Sequence, residues 1–237
     1  MKQSGTFLTG PYAAWRIDAE QDADGNVIAV VAGAGEDGRT RSADFWFASF
    51  ADMHEAFAEQ RAQIAWDIQS LLWHRPEGLD APAVSWDPLV EDDALLEAQI
   101  LCVQADLVVG TVGILLEFRT ALQYRTGNTA LIVVRRAESL QYAMPAPSER
   151  PYARVVMGSG IQGPKQAGEP FSLHLSCSPG PDVHVTGRSV EFYLLEVPGL
   201  GGTPPDYADG ARFRAGLPGW GSSASVLAKS EIGPAAG

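Results

Sequence analysis

A chain of 237 residues is long enough to bury one large core or two small ones. Hydrophobic residues make up 46% and charged residues 19%, which excludes a disordered composition, and the net charge of −12 argues against nucleic-acid binding. Apolar runs reach about ten residues, roughly half the length of a membrane-spanning helix, and no signal-peptide stretch follows Met1. We therefore expect a cytoplasmic protein with no membrane contact.

The N-terminal segment predicts a β-hairpin. Residues 14–20 and 27–32 have the apolar content of strands, and residues 21–26 between them are rich in turn formers. A third apolar run, Phe45-Trp46-Phe47, follows a polar loop.

One long helix is predicted over residues 50–74. Ser49 is a suitable N-cap, and Asp52 three residues later completes a capping-box arrangement. An apolar stripe at helical spacing supports the helix and is interrupted only at Gln60-Arg61. The stripe consists of Met53, Phe57, Ile64, Ile68 and Leu71. The stripe predicts packing against a sheet, with His74 near the helix C-terminus and Pro76 ending the helix.

Residues 100–119 predict a second hairpin. Apolar residues alternate on both sides of Gly110-Thr111, which is typical of a two-residue type II′ turn. This register pairs Val109 with Val112 and Leu107 with Ile114, and places all the apolar side chains on one face. A helix over residues 112–124 fits the same apolar residues and stays open as the alternative.

Residues 144–151 contain three prolines and predict a linker. It separates an α+β part, residues 1–143, from a β-rich part, residues 152–237, with a Gly- and Pro-rich irregular tail, and the two could pack as one domain. The expected fold class is therefore α+β, a mainly antiparallel sheet packed by the long helix. Cys102 and Cys177 are too few for a zinc site built on cysteine pairs, and whether they are bonded stays open.

Two stretches, residues 112–135 and 190–220, are similar to recurrent segments of uncharacterised actinobacterial proteins. The similarity is strongest at Arg119-Thr120-Ala121-Leu122-Gln123 and at Pro204-Pro205-Asp206-Tyr207. The resemblance implies a bacterial source and no particular activity, cofactor or functional residue.

Two short motifs favour plain loops over ligand sites. Residues 33–38 match the G-x-G-x-x-G pattern, but no helical pattern follows to receive a pyrophosphate, so we expect a hairpin loop. Residues 22–26 resemble the start of a calcium loop, but Val27 and Gly33 replace its glycine and its bidentate glutamate. We expect no cofactor and no bound metal.

His174 and His184 are the best candidates for chemistry. If Cys177 pairs with Val183, then His174 lies diagonal to His184 and both share a polar strand face with Ser176. That arrangement could serve a small-molecule or metal-binding enzyme, and a solvated sheet face is the simpler interpretation.

The favoured function is non-catalytic binding of a basic protein partner, for example in an immunity-like role. The acidic balance and the lack of a catalytic motif support it. Candidate contact residues are an acidic run and two tryptophans on the predicted helix: Glu91, Asp92, Asp93, Trp66 and Trp73. The oligomeric state is not predicted.

Overall fold

The structure, a computed structural model, describes residues 2–73, 81–143, 152–163, 169–207 and 214–233. Strands account for 50% of the chain and helices for 10%. The chain forms two compact units: Met1–Asp80 with Trp220–Ser225, and Ala81–Gly219 with Val226–Gly237. The predicted linker, residues 144–151, and His74 lie outside the described residues. The strands nearest that linker on either side both belong to the second unit.

Within its described residues, the first unit contains five complete strands and two short helices. In chain order these are β1 (Lys2–Phe7), β2 (Arg16–Gln21), β3 (Val27–Ala34), β4 (Thr40–Phe47), α1 (Phe50–Glu59), β5 (Ile64–Asp67) and α2 (Ile68–Trp73). All strand pairs are antiparallel, and the order β5-β1-β2-β3-β4 ends at β4. A last strand, β12 (Ser223–Ile232), begins in this unit, where Ser223 and Ala224 pair with β5, and ends in the second unit.

The predicted N-terminal hairpin is confirmed. Arg16 pairs with Ala32 and Gln21 with Val27 across β2 and β3. The turn between them is closed by Asp22, whose Oδ1 accepts hydrogen bonds from the backbone N–H groups of Asp24 and Asn26. Residues 35–39 form a hairpin loop between β3 and β4, as predicted for the glycine-rich motif.

The prediction of an α+β fold packed by one long helix is wrong. Helix α1 begins as predicted, because the Ser49 hydroxyl accepts from the Asp52 N–H, but it ends at Glu59. Arg61 has a φ of 56°, which no α-helix interior tolerates, and the chain then forms strand β5. Helix α1 packs its apolar side on the sheet, where Phe57 contacts Phe7 at a ring-centroid distance of 5.1 Å.

The second unit is a closed barrel of six strands. These are β6 (Gln99–Asp106), β7 (Thr111–Glu117), β8 (Thr129–Tyr142), β9 (Val155–Gln162), β10 (Phe171–Ser178) and β11 (Val183–Glu196). Their order is β10-β9-β6-β7-β8-β11, and pairing of β10 with β11 closes the ring. Inward-facing side chains such as Ile114, Ile132, Leu173, Val185 and Phe192 fill the interior. The prediction of an irregular C-terminal tail is also wrong, because the tail contains β12.

The second hairpin exists, but its predicted register is wrong and the alternative helix does not form. Val112 pairs with Ala105 rather than with Val109, so the loop has four residues instead of two. The carboxylate of Asp106 accepts hydrogen bonds from the N–H groups of Val108 and Val109 and holds this wider loop. Leu107 and Val108 are consequently 91% and 94% exposed. Cys102 and Cys177 are both free.

Candidate functional site

A polar groove lies on the outer surface of the barrel, along strands β9, β10 and β11. Their side chains alternate, so that Leu173, Leu175 and Val183 point into the core and their neighbours point outward. The groove has a volume of about 900 Å³. We call it the histidine groove, and its polar side chains are Asp92, Asp93, Gln141, Ser159, Gln162, Ser172, His174, Ser176, Asp182 and His184.

His174 and His184 form the centre of the histidine groove. They pair directly across β10 and β11, and their ring centroids are 6.3 Å apart with the rings at 74°. The sequence predicted a diagonal arrangement, because it paired Cys177 with Val183, whereas the structure pairs Leu175 with Val183. The shared outer face was foreseen, and the change of register brings the two rings closer together than predicted.

Each histidine has a side-chain partner of its own. Ser172 Oγ lies 2.6 Å from Nε2 of His184, and Asp182 Oδ2 lies 3.1 Å from Nε2 of His174. The other oxygen of Asp182 accepts the backbone N–H of Cys177 at 2.9 Å. This N–H lowers the pKa of the Asp182 carboxyl more than any other group, and the His174 side chain lowers it further. Asp182 is therefore an anchored, ionised carboxylate at neutral pH.

The acidic run reaches the same groove. Asp93 exchanges two hydrogen bonds with Ser159 of β9, one through its own N–H and one through Oδ1, at 2.7 and 3.1 Å. A Cβ atom added to Gly160 would lie 3.0 Å from Asp92 Oδ1, and one added to Gly158 would lie 3.4 Å from Asp93 Oδ1. The two glycines thus make room for the carboxylates beside the histidines. Glu91 is exposed and does not line the groove.

The two tryptophans proposed as contacts do not share a helix face. Trp66 is only 4% exposed, lies in β5 and packs edge-on against His54 at a centroid distance of 5.1 Å. Trp73 is half-buried in α2. Trp66 therefore belongs to the core of the first unit, whereas Trp46, on β4, is 69% exposed.

Several groove residues were missed by sequence reasoning. Asp182 stands two positions before His184 in a turn, which is a recognisable signal for a carboxylate near the histidine face. Gln141 pairs with His184 from β8, and Gln162 pairs with Ser172 from β9. Their proximity depends on pairings between distant segments, for which the chain carries no local signal.

A second polar cluster, which sequence reasoning also missed, connects residues 201–207 and 214–216 to the barrel. The guanidinium of Arg119 donates two hydrogen bonds to the Glu117 carboxylate, at 2.7 and 2.6 Å, in a pair of which both side chains are buried. It also donates to the carbonyls of Gly201, Thr203 and Gly216. Nearby, the hydroxyl of Tyr207 donates to Gln99 Oε1. Burial first, and then the charge of Glu117, raise the pKa of Tyr207 to about 12.

Among the described residues, no three histidine, cysteine, aspartate or glutamate side chains converge on one point. Within the same ranges, neither helix is long and apolar enough to cross a membrane. Comparison with family models, with curated proteins and with solved structures gives no match in any of the three.

Proposed function

We propose that this chain is a non-catalytic binding protein and that its histidine groove receives cationic side chains of a basic protein partner. The observation that carries the proposal is the charge of the groove. Asp92, Asp93 and Asp182 line it, and its lining within the described part of the chain contains neither lysine nor arginine. A cationic side chain entering the groove therefore meets carboxylate acceptors and no lysine or arginine.

The carboxylates are held in place before any partner arrives. Asp93 and Asp182 each direct one oxygen to a backbone N–H group, that of Ser159 and that of Cys177 respectively. Binding then orders few side chains, which reduces the entropic cost of association. The hydroxyls and amides along the groove add acceptors that suit a guanidinium or ammonium group.

The charge of the whole chain supports the same kind of partner. A net charge of −12 attracts a basic protein over distances of about a Debye length, near 10 Å at moderate salt, and accelerates its association. An immunity-like role, in which an acidic surface covers a basic enzyme, is one form of this proposal.

A binding assay with a defined cationic probe tests the proposal. The affinity of a fluorescein-labelled hexa-arginine peptide is measured by fluorescence anisotropy, for the wild type and for the triple variant Asp92→Asn, Asp93→Asn, Asp182→Asn. Asparagine keeps one acceptor oxygen at each position and tolerates the positive φ of Asp93, so the fold is preserved. We expect the variant to bind about tenfold more weakly, with a reduced dependence on salt.

A matched control separates the groove from net charge. The triple variant Glu36→Gln, Glu55→Gln, Glu59→Gln removes three exposed carboxylates of the first unit. It is expected to bind the probe within about twofold of the wild type. Equal losses in the two triple variants, or no loss in either, would overturn the groove as the binding site. The two variants then serve as paired baits for identifying the natural partner.

One contact favours a second candidate, nucleophilic catalysis at Ser172. Its Oγ lies 2.6 Å from Nε2 of His184, within reach for the imidazole to accept the hydroxyl proton. His174 and Asp182 lie beside this pair as a separate hydrogen-bonded couple.

Covalent labelling decides this candidate. A fluorophosphonate probe reacts with a serine whose hydroxyl is activated by a neighbouring base. The candidate predicts labelling of the wild type and of Ser176→Ala, which changes another groove hydroxyl, and none of Ser172→Ala. Absence of labelling in the wild type would remove nucleophilic catalysis at Ser172 and leave the binding function.

A further inference from the structure

Strand β4 leaves one edge of the first unit's sheet without a partner strand. It is the last strand in the order, with β3 on one side and no strand from the described residues on the other. Its residues are exposed or half-buried along the whole length, and Trp46 is 69% exposed. An open edge of this length presents unpaired N–H and C=O groups that can accept another strand.

The pairing with β3 shows which residues of β4 direct their backbone groups to the open edge. The carbonyl of Arg39, just before β4, accepts the N–H of Gly35 in continuation of the β3–β4 ladder. Backbone groups in an antiparallel ladder alternate between the two neighbours, so the odd-numbered residues of β4 bond to β3. The open edge is therefore formed by the N–H and C=O groups of Thr40, Ser42, Asp44 and Trp46.

These edge residues complement one another when two copies of β4 pair antiparallel about a two-fold axis. Such an axis places one residue opposite its own symmetry mate. With Ala43 on the axis, Ser42 faces Asp44 and Thr40 faces Trp46, so every residue of the open edge has a backbone partner. The Ser42 hydroxyl can donate to the Asp44 carboxylate, and the symmetry produces this contact twice.

The other face of the paired strands is complementary in the same register. Arg41 lies opposite Phe45, and Arg39 lies opposite Phe47, which are half-buried aromatic residues. An arginine over an aromatic ring gives a favourable cation–π contact. The present partner of Arg41 is Asp37, at 3.2 Å, in a pair whose side chains are 61% and 45% exposed. Exposed pairs of this kind contribute little, so Arg41 can turn to a second copy at small cost.

The neighbouring registers are less favourable. An axis at Asp44 places two carboxylates directly opposite each other, where like charges repel. An axis at Ser42 places Trp46 opposite Gly38, which lies in the β3–β4 loop outside the strand. The sequence of β4 therefore selects the register that is centred on Ala43.

We propose that β4 is a homodimerisation edge, on which a second copy of this chain pairs antiparallel with Ala43 opposite its own symmetry mate. The small side chain of Ala43 allows the close approach that this central position requires. The edge is not acidic, because Arg39 and Arg41 accompany Asp44, so the charge of the whole chain does not concentrate there. The proposal concerns the first unit and does not depend on the function of the histidine groove.

A proline substitution tests whether the open edge of β4 forms the dimer. The molecular mass of the wild type is measured by analytical ultracentrifugation over a range of concentrations, and we expect a reversible monomer–dimer equilibrium. Ser42→Pro removes an N–H group that points away from β3, so the monomer keeps its ladder while the dimer loses a hydrogen bond in each copy. The dissociation constant should rise at least about tenfold. Ser42→Thr keeps both the N–H and a hydroxyl, and should stay within about threefold of the wild type.

Cysteine cross-linking tests the register. At the axis, the residues form a pair without backbone hydrogen bonds to each other, for which the Cα atoms are about 4.5 Å apart and within the range of a disulfide. Ala43→Cys should therefore form a disulfide-linked dimer under mild oxidation, measured by non-reducing electrophoresis. Asp44→Cys should cross-link much less, because its symmetry mate lies on the diagonal, and the wild type with Cys102 and Cys177 alone serves as the blank.

Three results would each overturn the proposal. They are a wild type that stays monomeric at the highest concentration, a Ser42→Pro variant that dimerises as well as Ser42→Thr, and stronger cross-linking of Asp44→Cys than of Ala43→Cys. Circular dichroism spectra identical to that of the wild type confirm that the variants compared are folded.

Discussion

The side chains of His174 and His184 face each other across the pairing of β10 with β11, with ring centroids 6.3 Å apart. Each ring also has its own hydrogen-bond partner, which is Asp182 for His174 and Ser172 for His184. The two histidines therefore hold side chains in two different parts of one groove. A change in one ring therefore alters the electrostatics of a neighbouring carboxylate, which is measurable without knowing the ligand.

Replacing His174 with alanine should raise the pKa of the Asp182 carboxyl without restoring its ordinary value. The largest lowering comes from the Cys177 N–H, which the substitution leaves in place. Because the folded-state pKa is lowered, ionised Asp182 stabilises the fold above its unfolded pKa, and this contribution is lost as the pH falls through the folded pKa. Carboxyl ¹³C chemical shifts followed against pH measure the change. A full return to the ordinary value would show that the ring dominates.

His54 should make the first unit less stable in mild acid. Burial against Trp66 lowers the pKa of His54 from 6.5 to about 4. Below about pH 6.5 the unfolded chain therefore binds a proton at His54 that the folded chain does not bind until about pH 4. The free energy of unfolding consequently falls between about pH 6.5 and 4. At about 1.4 kcal/mol per pKa unit, the loss is at most about 3.5 kcal/mol.

The comparison of wild type with His54→Leu isolates this effect. Free energies of unfolding from urea titrations at pH 7 and pH 4.5 should differ less in the variant, by about 2 kcal/mol. If both proteins lose the same stability between the two pH values, another group is responsible for the acid sensitivity.

Two buried glutamines should respond in opposite directions to replacement by methionine. Gln3 is 2% exposed, and neither atom of its amide group has a hydrogen-bond partner among the described residues. Gln99 is 8% exposed and accepts from the Tyr207 hydroxyl at 2.7 Å. An unsatisfied buried amide costs about 1–3 kcal/mol, so Gln3→Met should stabilise by about 1 kcal/mol, whereas Gln99→Met should destabilise by a similar amount. Urea titration of both variants against the wild type checks the opposite signs.

Removing Arg119 should severely destabilise the barrel. Arg119→Ala leaves the fully buried Glu117 carboxylate without its cation and frees three backbone carbonyls, for an expected loss of about 3–5 kcal/mol. The double variant Glu117→Gln, Arg119→Met removes both charges and should lose less. Arg188→Ala, which breaks the pair with Glu138 at 40% exposure on both sides, should lose at most about 1 kcal/mol. Chemical denaturation of the three variants ranks them, and equal losses would contradict the argument.

Local signals in the sequence were sufficient for single elements. The turn at Asp22, the N-cap at Ser49 and the strands that became β2, β3, β10 and β11 all depend on neighbouring residues. Helix α1 was extended too far because the buried residues of β5 and α2 continue a helical spacing by coincidence. The only warning was polar Gln60-Arg61, where Arg61 adopts its positive φ.

Closure of the barrel had no local signal. It requires β9 to pair with β6 and β11 with β8, and such pairings between separate segments follow from packing rather than from any short pattern. In the candidate site, too, one part had a local signal in the sequence and another part did not. The alternation of β10 and β11 revealed the face that carries His174 and His184, whereas the arrival of Asp92 and Asp93 depends on contacts with β9.

The return of the chain to the first unit at Trp220–Ser225 constrains the order in which this protein can fold during synthesis. Ser223 and Ala224 pair with β5, and the Trp220 and Ser222 carbonyls accept N–H groups of α2, so these bonds must wait until Ala224 has left the ribosome. All six barrel strands have been translated by then. The N-terminal unit is therefore begun before the barrel and completed after it.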